Sequence, residues 1–353
     1  MKIGFRITAI TLIFASFACG DRDADLREQY RAATLTLFDE LVPGSKKVVK
    51  GRDGWFLHRG ELKFLNADSL IGESARQANP VAPPEYADPV PAILDFNRQL
   101  QERGIEMYFM PVPVRPAIYP ESVLGAEPFA HRRSIPNLEK PLRELLSTLS
   151  AQGVQVIDVT PTFLSRRNSK EHGEVFYSSE THWTPYGIKL AVEMLAPEIK
   201  KKGWYEGVPK RDFHEKWFVR KHNGLTYREY SSATGAVLER DQIPIRRIQF
   251  KTEEGTEAIG LENPLSPVIV MGDSNTIFWA KFGSALPHHL ALELGFPVDV
   301  LSTTGGGANQ TRLNLARRIQ AEPGYLDGKR VVIWCFSARA FTNTREGWLP
   351  IPL

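Results

Sequence analysis

The chain has 353 residues, of which 42% are hydrophobic and 24% are charged. This composition is typical of a folded globular protein and excludes a disordered chain or a coiled coil. The length permits one large domain or one domain with an insertion. A formal net charge of +3 is too small to indicate a nucleic-acid partner, although it permits an anionic small molecule or polysaccharide as ligand.

Residues 1–19 are predicted to be a bacterial signal peptide of the lipoprotein type. Two basic residues precede an apolar run over 7–18, which is too short to span a bilayer, since a spanning helix needs about 20 residues. Cys19 is the predicted lipidation site, although Ser16 stands where that pattern usually has leucine. Cleavage nearby without lipidation and an uncleaved anchor are the alternatives. Either of the first two outcomes places the protein in the periplasm, with membrane contact only through an N-terminal lipid.

The segment after the signal peptide, 20–50, is predicted to contain an amphipathic helix. Apolar residues recur every three or four positions over 25–41, which is one stripe of a helix. This helix packs on the domain or forms a stalk from the membrane. A hairpin or loop against the core is predicted over 51–65, and an irregular proline-rich connection over 79–91.

Strands and helices then alternate along the chain. The predicted strands span 105–110, 154–159, 268–271, 298–301 and 331–336. The predicted helices span 91–103, 137–152, 185–202, 275–283, 287–295 and 309–321. Strands separated by helices predict an α/β fold with a doubly wound parallel sheet of about five strands.

The domain is predicted to extend over 51–342, followed by a C-terminal tail over 343–353. The alternation of strands and helices fails over about 204–264, which is polar, aromatic and only strand-like in short pieces. This stretch is interpreted as an insertion near the edge of the sheet.

The two cysteines and eight histidines indicate neither a disulfide nor a metal site. Cys335 lies in an apolar strand, where a buried and unreactive thiol is predicted, and Cys19 lies far away near the N-terminus. The histidines show no ligand spacing, so no metal and no cofactor is expected.

A candidate nucleophile follows the strand over 268–271. The strand breaks at Gly272 and delivers Asp273 and Ser274 into a turn before a helix. A serine on a sharp strand-to-helix turn has an exposed hydroxyl, and its own N–H faces the place where an oxyanion forms. Ser274 is therefore the predicted nucleophile.

A candidate base lies in the segment 176–187. Glu180 and His182 are two residues apart, just before a helix that Thr184 is predicted to cap. In an extended loop such residues point the same way, so the carboxylate can fix the imidazole tautomer and support its positive charge. The alternative is a surface histidine near a helix N-cap.

The segment 302–310 contains three consecutive glycines after a strand and before a helix. Their N–H groups can approach a reacting group closely, so Gly305 and Gly306 are predicted to join the Ser274 N–H in holding an oxyanion. A flexible turn is the alternative. The spacing does not meet the dinucleotide-binding pattern.

These features together resemble the alginate O-acetyltransferases of the AlgJ/AlgX type. The shared features are the Gly-Asp-Ser turn, the earlier Thr-His-Trp-Thr-Pro block, the Gly-Gly-Gly turn and a closing Val-Ile-Trp strand. The resemblance implies an SGNH-hydrolase-like (flavodoxin-like) fold with the catalytic segments in permuted order. It also implies Ser274 as the acyl-accepting nucleophile, His182 as general base and acid, and Glu180 as the orienting acid.

The resemblance implies transfer of acetyl groups to a secreted, alginate-like polysaccharide in the periplasm. A membrane-bound O-acyltransferase would supply the acetyl group. Two departures from the family pattern stand out. Glu180 replaces the usual aspartate, and Ala338 replaces the glutamate of a Glu-Arg pair, which puts substrate positioning or a partner contact in doubt.

Four further residues are predicted to contact substrate: Arg115, Tyr119, Trp183 and Asn309. Arg115 lies in a loop at the sheet's edge and could bind a uronic-acid carboxylate through two hydrogen bonds. A purely structural arginine is the alternative. The basic and aromatic stretch 210–222 is interpreted as a charged face packed through its aromatic residues, in preference to a glycan contact.

Two other functions remain open. An esterase would use the same residues with water as acceptor, because the triad does not decide which acceptor enters. A non-catalytic, glycan-binding subunit of a polysaccharide export complex is the other alternative, suggested by Glu180 and Ala338.

Overall fold

The computed structural model describes residues 11–42, 44 and 46–353, with side chains from residue 23 onward within these ranges. The predicted signal peptide over 1–19 and the lipidation of Cys19 lie outside the described side chains.

The described chain contains α-helices, strands and short 3₁₀ turns. From residue 91 onward, the strands and helices that were predicted occur in the predicted order. The strands are β1 (Val48–Lys50), β2 (Phe56–His58), β3 (Glu106–Val112), β4 (Gln155–Val156), β5 (Asn168–Ser169), β6 (Gly173–Glu174), β7 (Phe213–His222), β8 (Asp241–Thr252), β9 (Gly255–Glu257), β10 (Val268–Gly272), β11 (Asp299–Ser302) and β12 (Val331–Ser337). The helices are α1 (Thr11–Asp39), α2 (Arg59–Leu65), α3 (Gly72–Ala78), α4 (Pro89–Gln101), α5 (Arg115–Ile118), α6 (Glu121–Leu124), α7 (Pro141–Ala151), α8 (Thr160–Arg166), α9 (Pro185–Lys200), α10 (Leu225–Thr234), α11 (Ser274–Ile277), α12 (Leu286–Leu294) and α13 (Gly307–Ala321). The 3₁₀ turns are Pro84–Tyr86, Glu127–Phe129, Tyr205–Gly207, Ala280–Phe282 and Ala338–Thr342.

The central sheet has five parallel strands in the order β11-β10-β12-β3-β4, which confirms the predicted fold class. Every residue of β10 and β12 is buried, as expected for strands covered on both faces. The edge strand β4 has only two residues, fewer than predicted. Because all five strands run the same way, the segments that follow them meet at one edge of the sheet.

The stretch interpreted as an insertion forms a second, antiparallel sheet of β7, β8 and β9. Its long hairpin pairs Phe213 with Phe250 at one end and His222 with Asp241 at the other. β8 packs against α9 and α12, and α10 packs against β2. The inserted sheet is therefore joined to the helices that flank the central sheet.

The described part of α1 packs on the domain. Leu26 and Tyr30 are buried, and α1 contacts α2 and α6. Asp23 forms an ion pair with Arg132 at 2.5 Å. Within the part of the chain that the structure describes, no helix has both the length and the apolar character needed to cross a bilayer.

Candidate active site

Ser274 stands at the carboxyl end of β10, where each residue of the Gly-Asp-Ser turn has a separate role. A Cβ atom on Gly272 would lie 1.6 Å from the carbonyl oxygen of Cys335 on β12, so only glycine allows this strand contact. Asp273 accepts the Asn275 N–H at 2.9 Å and the Ser337 N–H at 2.9 Å. The turn is therefore fixed to β12, and Ser274 begins α11 with its side chain partly exposed.

The imidazole of His182 contacts the Ser274 hydroxyl directly. Its Nε2 lies 2.7 Å from Ser274 Oγ, although the two residues are 92 positions apart. The ring of Phe278 stacks on the imidazole, with 3.9 Å between centroids and 11° between planes. This stacking and the hydrogen bonds on both ring nitrogens fix the orientation of the imidazole.

Glu180 completes a hydrogen-bonded row. Its Oε1 lies 2.7 Å from His182 Nδ1, so Nδ1 carries the proton that it donates to the carboxylate, and Nε2 can accept the serine proton. Burial alone would raise the pKa of Glu180, but hydrogen bonds from His182 and His222 outweigh it and hold that pKa well below its usual range. A buried carboxylate, a neutral imidazole and an alcohol in this order can activate the alcohol for attack on an ester.

Two tryptophans lock the histidine segment onto the serine turn. The Trp183 indole N–H donates to the Asn275 carbonyl at 2.8 Å, and the Trp279 indole N–H donates to the Trp183 carbonyl at 2.7 Å. Trp183 has no exposed surface. The predicted substrate contact through Trp183 is therefore wrong, because this ring is enclosed between the two segments that it connects.

The glycine turn after β11 lines the same cavity as Ser274. Gly305 has φ +73°, which suits the third position of the turn closed by the Gly306 N–H on the Thr303 carbonyl at 3.1 Å. The predicted oxyanion contact from Gly306 is therefore wrong, since its N–H already has an acceptor. In the described chain, neither the Gly305 nor the Ser274 N–H donates to another group, so both remain available to a ligand.

The cavity beside Ser274 has a volume of about 640 Å³. Its wall includes three basic residues, Lys63, Arg339 and Arg345, and two acidic ones, Asp273 and Glu346. His58 also lines the cavity, where burial and the charge of Arg339 lower its pKa to about 4, so it is neutral at pH 7. The cavity wall thus carries a small excess of basic over acidic residues.

Arg115 lies in the interior, so its predicted contact with substrate is wrong. Its side chain has no exposed surface, and its guanidinium binds both carboxylate oxygens of Glu61 at 2.8 and 2.7 Å. Further bonds go to the carbonyls of Phe56, Tyr177 and Ser178. The alternative reading of Arg115 as a structural residue is the one that fits, because it holds three chain segments together behind the site.

Tyr119 and Asn309 are also buried in the interior and do not line the cavity beside Ser274. The two remaining predicted substrate contacts are therefore wrong. The Tyr119 hydroxyl donates to the Arg167 carbonyl at 2.7 Å and accepts the Val175 N–H at 3.1 Å. The Asn309 amide donates to Gly347 and accepts from Arg312, each at 2.5 Å. Both side chains are buried with their polar atoms already paired.

Two residues at the site were not predicted from the sequence. His222 Nε2 lies 3.0 Å from Glu180 Oε2, and Phe278 covers the imidazole of His182. The end of a polar strand gives no local sign that its histidine reaches a carboxylate 42 positions away. Within the described residues, no group of three or more His, Cys, Asp or Glu side chains could hold a metal ion.

Comparisons with known proteins bear on the family and the fold of this chain. Residues 48–338 match the family model of the ALGX SGNH hydrolase-like domain, from the acetyltransferase AlgX. The "Probable alginate O-acetylase AlgJ" of Pseudomonas aeruginosa is 27% identical over 322 residues, which are 88% of this chain and 73% of that protein.

Two solved structures share the fold. The O-acetyltransferase domain of Pseudomonas putida AlgJ has a TM-score of 0.59 at 19% identity, covering 84% of this chain and 92% of that one. Pseudomonas aeruginosa AlgX has a TM-score of 0.60 at 17% identity, covering 86% of this chain and 66% of that one. Both likenesses extend over most of this chain.

Proposed function

Because the chain belongs to the family of SGNH hydrolase-like domains represented by the acetyltransferase AlgX, we propose that it is a periplasmic O-acetyltransferase. It moves acetyl groups onto hydroxyls of an alginate-like polysaccharide through an acyl-serine intermediate. The observation that carries this proposal is the row of hydrogen bonds from Ser274 through His182 to Glu180, with 2.7 Å at each step. This row opens onto a cavity large enough for sugar residues.

In the first half-reaction, Ser274 Oγ attacks the carbonyl carbon of an acetyl donor while His182 Nε2 takes the hydroxyl proton. The imidazolium that forms is stabilised by the ionised Glu180. The tetrahedral oxyanion is held by the N–H groups of Ser274 and Gly305. The intermediate collapses when His182 returns the proton to the leaving group, which leaves an acetyl ester on Ser274.

In the second half-reaction, His182 removes the proton from a sugar hydroxyl that has entered the cavity. The alkoxide oxygen attacks the acetyl carbon, the same two N–H groups hold the new oxyanion, and the Ser274 oxygen leaves with the proton from His182. The products are an O-acetyl sugar and the free serine. Water entering in place of the sugar would give acetate, so exclusion of water decides between transfer and hydrolysis.

The three basic residues of the cavity wall support an acidic acceptor. Lys63, Arg339 and Arg345 line the space beside Ser274, and guanidinium groups bind carboxylates strongly. The name of the Pseudomonas aeruginosa relative, an alginate O-acetylase, points to the same class of polysaccharide. A uronic-acid polymer is therefore the proposed acceptor.

The acetyl donor is proposed to be a membrane-bound O-acyltransferase that delivers the group on the periplasmic side. The basic and apolar pattern of residues 1–19 supports export, and lipidation of Cys19 would keep the domain at the membrane. Mass spectrometry of the N-terminal peptide from the native host tests the lipid.

The decisive experiment measures acetyl transfer from an activated acetyl ester to an oligouronate. We expect Ser274→Ala to reduce transfer by at least about 10³-fold and to abolish covalent labelling by a serine-directed phosphonate. Ser165→Ala, a surface serine on α8, is the matched control and should behave as the wild-type protein. Release of acetate with no transfer would identify an esterase. Glycan binding with no labelling of Ser274 would identify a non-catalytic subunit.

A further inference from the structure

The outer oxygen of Glu180 is held by the inserted sheet. Glu180 Oε2 accepts from His222 Nε2 and from the Leu225 N–H, each at 3.0 Å, while Oε1 faces His182. One carboxylate therefore bridges two imidazoles, one from the segment before α9 and one from the end of β7. Glu180 is only 1% exposed, so these bonds are not exchanged with water.

The whole turn after β7 is fastened to the backbone around Glu180. Thr226 donates its N–H to the Ser179 carbonyl at 3.0 Å, and its hydroxyl donates to the Ser178 carbonyl at 3.3 Å. The Ser179 hydroxyl in turn donates to Asp241, the partner of His222 across the hairpin. The inserted hairpin thus contacts three consecutive residues that lead into the histidine segment.

The contact is close enough to require glycine at one position. A Cβ on Gly224 would lie 1.9 Å from the Ser179 carbonyl oxygen, although the backbone of Gly224 has an ordinary φ of −67°. Glycine is therefore required here for proximity and not for its conformational freedom. The turn cannot move away from Ser179 without breaking the bond from Leu225 to Glu180 and the bond from Thr226 to Ser179.

We propose that His222 is a positioning residue of the acyl-transfer site, and that the inserted sheet is a structural part of that site. The inference rests on the proposed function of Ser274 and His182. His222 fixes the outer oxygen of Glu180 and so aims the inner oxygen at His182. A glutamate is longer than an aspartate by one methylene, and the second imidazole supplies the restraint that the longer and more flexible side chain needs.

The neighbours of His222 enclose its imidazole on several sides. Glu180 faces His222 from the histidine segment, and Asp241 lies opposite His222 on β8. The rings of Phe278 and Trp279 pack against the imidazole, with ring centroids 5.8 and 5.3 Å from its own.

The experiment compares two substitutions at one position. His222→Gln keeps an N–H donor near the place of Nε2 but cannot become charged, whereas His222→Leu removes the donor. We expect His222→Leu to lower kcat about tenfold or more with little change in KM, and His222→Gln to recover most of that loss. His214→Leu, an exposed histidine on the same strand, is the matched control.

Two further variants separate positioning from general loss of stability. Glu180→Asp and His222→Leu should combine less than additively, because both remove the same bridging contact. Gly224→Ala keeps the His222 side chain but displaces the turn that follows it. We therefore expect this variant to reproduce the loss of kcat. Circular dichroism and thermal melting report whether each variant is folded.

A readout independent of turnover is the downfield proton resonance of His182 Nδ1–H. We expect it in the wild-type protein and in His222→Gln, and we expect it to shift or broaden in His222→Leu. An unchanged resonance together with wild-type kcat in a folded His222→Leu variant would overturn the inference. In contrast, a wild-type protein whose Ser274 is not labelled by the phosphonate would overturn the proposed function, while the resonance would still test the contact.

Discussion

At the level of single residues, the surroundings of each buried carboxylate decide whether it is ionised. Burial alone would raise the pKa of Glu61, but the charge and hydrogen bonds of Arg115 outweigh it and lower that pKa. Glu180 is ionised for a similar reason, with two imidazoles as donors. Glu139 is equally enclosed, but among the described residues it accepts only the Leu142 N–H, and burial raises its pKa to about 7.

Glu139 should make the stability of the protein depend on pH. A carboxyl with a raised folded-state pKa is neutral in both states at low pH, so it adds no penalty below its unfolded pKa of about 4.3. As pH rises from there through 7, the unfolded state ionises first and stability is lost. We expect Glu139→Gln to be more stable than the wild-type protein at about pH 8, by on the order of 2 kcal/mol, and nearly equal to it at about pH 4.

Urea unfolding at the two pH values measures this difference. Glu144→Gln, an exposed glutamate in the first turn of α7 and five residues after Glu139, is the control and should show no such pH dependence. A Glu139→Gln variant whose stability relative to the wild-type protein is the same at both pH values would contradict the prediction.

At the level of elements, the contact between β10 and β12 places the serine turn. The two strands are in parallel register, with Gly272 opposite Cys335, and Asp273 accepts the Ser337 N–H just beyond them. The position of Ser274 thus depends on how closely the two strand ends approach. A side chain at Gly272 would force them apart.

Gly272→Ala should therefore damage both the fold and the site. Its Cβ would overlap the Cys335 carbonyl oxygen at 1.6 Å, and strain of this kind costs about 3 kcal/mol or more. We expect a large drop in melting temperature and loss of Ser274 labelling in the protein that remains folded. Gly203→Ala, where an added Cβ meets no atom within 4 Å, is the control, and equal melting temperatures for the two variants would refute the prediction.

At the level of the whole molecule, the parallel sheet gathers distant segments at one edge, and the cavity there acquires its charge from them. Lys63 comes from α2, and Arg339 and Arg345 follow β12. Among the described residues, the Arg339 guanidinium has no hydrogen bond and no carboxylate within ion-pair distance. It is therefore free to bind an anionic group of the acceptor.

Arg339→Gln should weaken the use of an acidic acceptor without harming the chemistry. We expect KM for an oligouronate to rise about tenfold, as for the loss of one charge-assisted hydrogen bond, while hydrolysis of a small neutral ester changes less than about twofold. The wild-type KM should also rise with added salt more steeply than that of the variant. Arg317→Gln, an exposed arginine on α13, makes the same change in net charge, and an equal KM effect there would exclude a specific role for Arg339.

The sequence was sufficient for those features that depend on neighbouring residues. The strand before Gly-Asp-Ser, the Thr184 cap of α9 and the Glu-x-His spacing are local patterns, and the alternation of strands and helices implies a shared edge. Ser274, His182 and Glu180 meet there as expected, while their catalytic roles remain predictions. The family resemblance and the fold class are confirmed.

The errors concern residues whose environment is set by tertiary packing. Arg115 was predicted to face substrate, but its partner Glu61 lies 54 positions earlier, and no local pattern indicates such a pair. Asn309 and Tyr119 were misplaced for the same reason. His222 was missed because its distance from Glu180 depends on the register of a hairpin inside the stretch that seemed least regular.

The packing of α1 on the domain has a consequence for where the proposed reaction can occur. From Asp23 onward the helix is held by an ion pair and by the buried Leu26 and Tyr30, so it does not behave as a flexible tether. An anchor attached upstream would restrict how the protein tilts and rotates above a bilayer. The opening beside Ser274 would then face a limited range of directions. Under the proposed function, the acetyl donor in that membrane and the polymer leaving the cell would have to approach this opening from different sides.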